Sequence, residues 1–153
     1  MQSGLRAFLL FCSIATGAAF GASTMPGHSR EPVKAGETPD NGAALLDPAT
    51  FRTDHHAFVA YAVASKIEET LREVPCYCPC RQIGHRSLHD CFSSRHGALC
   101  PLCQKEAVYC YLERRKGKSA AQICQGLAKG KVLTLGLTKE MDRLYKQIQK
   151  SGR

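Results

Sequence analysis

Six cysteines and three histidines fall within the 28 residues from Cys76 to Cys103, in the spacing C-x-C-x-C-x10-C-x8-C-x2-C. Thiolates are soft ligands, and a dense run of them points to binding of a soft metal ion. The run opens with Pro75-Cys76-Tyr77-Cys78-Pro79-Cys80. Alternate residues of an extended chain share one face, so Cys76, Cys78 and Cys80 are expected to present three sulfurs to one point. Pro75 and Pro79 favour such a backbone by fixing φ and keeping the preceding residue out of the helical region. A disulfide between residues i and i+2 closes a strained ring, so bridging all three cysteines would need three distant partners. Convergence on metal is the simpler geometry.

Cys100-Pro101-Leu102-Cys103 adds a C-x-x-C pair at an expected helix start, where the dipole and free N–H groups favour the thiolate. That arrangement serves a metal site or a redox dithiol. A thioredoxin-type site needs a βαβ pattern that this chain lacks. Haem attachment needs a histidine where Gln104 stands, and the iron–sulfur spacing C-x2-C-x2-C-x3-C-P is absent. The expected ligands are therefore Cys76, Cys78, Cys80, Cys91, Cys100 and Cys103, supported by His85 and His96, with His89 a further imidazole nearby. Arg81, Arg86 and Arg95 interleave with the histidines and would offset an anionic cluster.

Sulfur at this density favours copper(I), including polynuclear clusters in which thiolates bridge ions. Zinc, which needs only four ligands, stands second, and an iron–sulfur cluster third. No carboxylate pair, nucleophile–base set or phosphate loop is present, so a non-enzymatic role is expected: sequestration of copper or its delivery to an extracytoplasmic metalloenzyme or transporter. Two alternatives come from other classes. One is an extracytoplasmic thiol–disulfide oxidoreductase working through Cys100 and Cys103. The other is a small interaction domain stapled by zinc or disulfides, since a core this small often recruits such help.

The elements that must position these residues read as all-α. Thr53-Asp54 caps a first helix, with Phe58, Tyr61, Ala62, Ile67 and Leu71 near one stripe and an end before Pro75. Ser87 to Ser93 forms one helical turn. A second helix has Cys100 at its cap, Pro101 at its first position, an apolar face of Ala107, Val108, Tyr111 and Leu112, and an end near Lys116-Gly117. Ser119 caps a third, running to about Lys129 and burying Ile123 and Leu127. Residues 131–137 form a short strand or connector. Thr138 caps a last helix carrying Met141, Leu144, Tyr145 and Ile148. The cysteine loop thus sits between two helices of a small helical domain over residues 53–153. His55 and His56 are expected to be exposed, and Cys110 and Cys124, on successive helices, to form a disulfide.

Ahead of that domain, residues 1–22 read as a secretory signal: Arg6, an apolar stretch from Ala7 to Ala15, then small residues such as Gly17-Ala18-Ala19. Retained, this segment would be the only membrane contact. Residues 23–52 read as a disordered linker. Export places the domain in the periplasm or outside the cell. Loss of the signal removes Cys12, leaving eight of nine cysteines, and Arg6, leaving 20 basic against 13 acidic side chains, a formal +7 instead of +8. With no Trp and no aromatic-interleaved basic motif, that charge reads as solvated surface, and nucleic acid is not an expected partner.

The segment Val74-Pro75-Cys76-Tyr77-Cys78-Pro79-Cys80, followed by Gly84-His85, Leu88-His89-Asp90-Cys91-Phe92, His96 and Cys100-Pro101-Leu102-Cys103, resembles the bacterial PCYCGC-motif proteins. The likeness runs from about His56 to Ile123. It implies a small exported protein or lipoprotein, of a group largely uncharacterised, with metal bound through these cysteines. Pro79 stands where that family has glycine, which stiffens the loop without removing a sulfur. A lipidation cysteine is missing or degenerate at Cys12, which favours a soluble or signal-anchored form.

Overall fold

The computed structural model describes residues 42–151, so the expected signal segment and most of the expected linker lie outside it. Among the described residues there is no strand, only an isolated antiparallel bridge between Pro75 and Ser87. The chain is all-α. Its helices are α1 (His55–Ala64), α2 (Glu68–Glu73), α3 (Leu88–Phe92), α4 (His96–Leu99), α5 (Pro101–Arg115), α6 (Ala120–Ala128) and α7 (Leu137–Ser151), with short 3-10 turns at Pro48–Phe51, Pro79–Ile83 and Lys131–Thr134. None is long and apolar enough to cross a membrane.

The central helix is α1, which packs against α5, α7, α4 and the first 3-10 turn. Asp54 caps it, accepting the Ala57 N–H at 3.0 Å. Seven of its ten residues, Ala57 and Val59 to Ala64, are buried, so it has no single apolar stripe. A helix apolar all round is one surrounded on all sides. The expected continuation through Leu71 is broken at Ser65, whose hydroxyl returns to the Ala62 carbonyl at 3.0 Å. The chain restarts as α2 after Ile67 at φ −134°.

Packing begins before the expected domain boundary at residue 53. The Leu46 N–H donates to Phe92 O at 3.0 Å, and Leu45 and Leu46 pack on the core. Phe51 is buried and stacks on Tyr61 (centroids 4.2 Å), which meets Phe92 edge-on at 4.9 Å. The Tyr61 hydroxyl donates to Ser94 O at 2.5 Å. These contacts tie α1 to the chain that carries Cys91 and His96.

Local capping chemistry sets the starts of α3, α5 and α6. Ser87 and Asp90 form a reciprocal capping box on α3, and Ser119 and Gln122 do the same on α6. Cys100 is the N-cap of α5 with Pro101 at its first position, and Gly117 at φ +81° turns the chain out of its end. α7 begins at Leu137, so Thr138 lies inside its first turn and is not its cap. Its Met141 and Leu144 are buried, and the exposed His55 stacks on Tyr145 at 4.3 Å. Residues 131–134 form a 3-10 turn and no strand.

Candidate metal centre

The first donors leave α2 at Val74. Tyr77 is held from two sides: its N–H donates to Glu106 Oε2 on α5 (3.4 Å) and its hydroxyl to Cys124 O on α6 (3.4 Å). Pro79 then opens the 3-10 turn that contains Cys80. This corrects the extended-chain expectation. In a straight strand residues i and i+4 lie about 13 Å apart, out of reach of one ion with bonds of about 2.3 Å. The turn at Pro79 curls Cys80 back instead. The sulfurs of Cys76, Cys78 and Cys80 close a triangle with sides of 3.3, 2.8 and 3.0 Å.

α3 directs Cys91 into the same place, its sulfur 3.4 Å from that of Cys76 and 3.6 Å from that of Cys80. The start of α5 supplies Cys103, 3.5 Å from Cys78 and 3.8 Å from Cys76. Cys100 lies at the rim, its sulfur accepting the Cys103 N–H at 3.4 Å. His85 Nδ1 is 3.4 Å from Cys91 Sγ, and His96 Nε2, from α4, is 3.9 Å from Cys78 Sγ. The two imidazoles meet edge-on at 5.0 Å. All six cysteines expected as ligands thus converge, with both supporting histidines beside them.

His89 belongs elsewhere. It is fully buried and its Nε2 lies 3.2 Å from Glu68 Oε1, joining α3 to α2. Cys110 and Cys124 are free thiols, as are the other described cysteines, in place of the expected bridge. Cys110 is wholly buried, while the Cys124 thiol turns toward Glu73 O at 3.9 Å.

Three groups of four donors have their ligand atoms within 4.8 Å of one another: Cys76, Cys78, Cys80 and Cys103; Cys78, His96, Cys100 and Cys103; Cys80, Cys91, His96 and Cys103. Sulfurs bound tetrahedrally at about 2.3 Å stand about 3.8 Å apart. The pairs Cys76–Cys103, Cys78–Cys103 and Cys80–Cys91, at 3.8, 3.5 and 3.6 Å, are near that separation. The cluster could hold a metal ion.

Its electrostatics divide the thiols. Hydrogen bonding by the Cys103 thiol, aided by the Cys103 N–H, brings Cys100 down to about 6. A hydrogen bond from the Cys76 thiol lowers Cys78, against the opposing effect of burial. Burial pushes Cys80 up to about 11. Cys76 and Cys103 are raised chiefly because their thiols donate to neighbouring sulfurs. Glu106, fully buried one helical turn beyond Cys103, is pushed up to about 8 by desolvation, and its Oε1 has no hydrogen-bond partner. Sequence reasoning passed over this residue. Its only signal was an acidic residue at i+3 from a ligand on the same helix.

A family model described as proteins of unknown function with a PCYCGC motif matches residues 37–129, more than half of the chain. The chain belongs to that family. The PCYCGC motif itself, written here Pro75-Cys76-Tyr77-Cys78-Pro79-Cys80, is the segment that closes the sulfur triangle. The match ends inside the α6–α7 connection, so it spans every donor of the cluster and leaves out α7. No curated protein and no solved structure matches this chain.

Proposed function

We infer that this protein binds copper(I) through its cysteine cluster, as cargo to be sequestered or handed to an extracytoplasmic metalloenzyme or transporter. The observation that carries the reading is the convergence of six sulfurs, five of them buried, and the His96 imidazole on overlapping four-donor groups. Copper(I) is preferred to zinc because the donors are predominantly soft and exceed the four that a structural zinc site uses. The signal-like residues 1–22 support a site of action outside the cytoplasm. Anaerobically purified protein should take up copper(I) with thiolate-to-metal charge-transfer absorption and hold it against a copper(I) chelator. Protein recovered from its own compartment carrying zinc alone, or no metal, would overturn the copper assignment.

A second reading is favoured by one observation. Cys100 is half-buried at a helix start with its thiol brought down to about 6, beside a buried Cys103. That is the asymmetry of an attacking and a resolving thiol. A disulfide-reductase assay, with Cys103→Ser as the inactive control, separates the two. Catalysis that persists in metal-saturated protein would place this reading first.

A further inference from the structure

The donor count raises a question that a single ion does not answer. One tetrahedral ion takes four ligands, and the most buried group, Cys76, Cys78, Cys80 and Cys103, leaves Cys91, Cys100 and His96 unused. Cys91 is fully buried, so its thiol has no recourse to solvent. Either of the other groups strands two of the three sulfurs of the triangle.

The three groups overlap in a particular way. Cys103 belongs to all of them. The first and second also share Cys78, the first and third share Cys80, and the second and third share His96. A thiolate has lone pairs to bridge two ions, whereas a neutral imidazole nitrogen has one and serves one ion. The first group can therefore be filled together with either of the others, joined along a sulfur–sulfur edge. The alternative pairing, second with third, would need His96 to bridge.

We propose that the cluster binds at least two copper(I) ions together, with Cys103 as the common bridging thiolate and Cys78 or Cys80 as the second bridge. The inference rests on the copper reading and concerns how many ions the site takes and which sulfur joins them. Formal charge favours the second ion. Four thiolates around one copper(I) leave a buried charge of minus three. Filling the second group adds one ion, the Cys100 thiolate and a neutral His96, and the total stays at minus three. Filling the third adds Cys91 in the same role. The second ion thus engages two more donors with no increase in buried charge, the term that most opposes burial of a cluster. Cys103 lies in the first turn of the 15-residue α5, where the N-terminal end of the helix dipole favours negative charge. The first metal bond to each thiol displaces its S–H proton to solvent or buffer. The second ion thus releases one proton, from Cys100 or Cys91, while the bridging thiolates, already deprotonated, bind it through a further lone pair.

The test is copper(I) titration of the reduced full chain followed by native mass spectrometry. Wild type should pass to a species with two or more ions while the one-ion form stays minor. Cys91→Ser and Cys100→Ser each leave one edge-sharing pair of groups intact, so both should still load two ions. Cys103→Ser removes a ligand from every group and should load half as many or fewer. Wild type that saturates at one ion, or Cys103→Ser that loads as many as wild type, overturns the proposal while the copper reading stands. Wild type that binds no copper(I) removes both. Should Cys103→Ser fail to fold by circular dichroism, the ion count of wild type, Cys91→Ser and Cys100→Ser decides alone.

Discussion

Glu106 Oε2 accepts the backbone N–H of Tyr77 at 3.4 Å, which ties α5 to the residue between the first two cysteines of the cluster. The same helix carries Cys103 one turn earlier, so a single strut sets the register of Cys76 and Cys78 against Cys103. Glu106→Leu removes the carboxyl that accepts that buried N–H and should destabilise the protein by about 1–3 kcal/mol in urea unfolding. Glu106→Gln keeps an acceptor and should lose less. An equal loss in both variants would show that the strut contributes nothing.

The same carboxyl predicts a pH dependence. Its pKa rises from an ordinary value near 4.5 to about 8 on folding, with burial as the main cause. The folded state therefore holds the proton more tightly than the unfolded chain. Stability from this group is complete below about pH 4.5 and is lost as pH rises toward 8. Glu106→Gln, compared with wild type as reduced metal-free protein, should flatten the decline across that window. Parallel profiles would sink the assignment.

Cys100 should be the first thiol of the reduced, metal-free protein to react with iodoacetamide. Its pKa is brought down to about 6 and its side chain is half-buried, whereas Cys103 and Cys91 are fully buried and raised. Modification, read by peptide mass spectrometry, should reach half its maximal rate near pH 6. In Cys103→Ala, which removes the side-chain donor, the midpoint should move up toward the ordinary thiol value of about 8.5. First reaction at Cys124, which is also half-buried but raised by burial, would contradict the ordering.

Gly97 lies where α4 crosses α3. A Cβ there would meet Cys91 O at 2.9 Å and the Phe92 ring at 3.0 Å, so Gly97→Ala must part the helices that carry His96 and Cys91. We expect a loss of about 1–3 kcal/mol, with weaker copper retention against a chelator. Gly136→Ala, which meets nothing within 4 Å, is the control and should change stability by less than about 0.5 kcal/mol. Retention unchanged in Gly97→Ala would mean that the α3–α4 spacing does not position the donors.

Helix starts were legible because their chemistry is local: Asp54, Ser87, Cys100-Pro101 and Ser119 each signal the same backbone event in sequence and in space. Burial was less so. The expected α5 face of Ala107, Val108, Tyr111 and Leu112 omits Tyr109, Cys110, Glu106 and Glu113, all buried because α1, α3, α6 and α7 surround this helix. The polar pairs Glu68–His89 and Tyr77–Glu106 join residues 21 and 29 apart in sequence, and no spacing rule reaches that far. The cysteine cluster was legible through its density. The route by which Cys80 joins it was not, because Pro79 serves equally well to extend a chain or to open a helical turn.

Metal should order only part of the cysteine segment. Of the large apolar residues between Cys76 and Cys100, Ile83 and Leu99 are 62% and 82% exposed while Leu88 and Phe92 are fully buried. α3 is held independently of any ligand: the Leu88 N–H donates to Val74 O at 2.7 Å, and the Arg86 and Ser87 N–H groups donate to Asp90 Oδ2. Residues 76–84 are tied by the Tyr77 contacts and by the His85 N–H donated to Cys80 O at 3.2 Å, and their sulfurs crowd together with thiol hydrogen bonds between them. Removing metal restores six thiols whose ionised forms repel, so this stretch should open first. Hydrogen exchange on copper-loaded and chelated protein should show protection lost across residues 76–84, with α3 and α5 changed little. Equal protection of residues 76–84 in both states would mean that packing alone holds the loop, and collapse of α3 with it would mean that metal organises the whole segment.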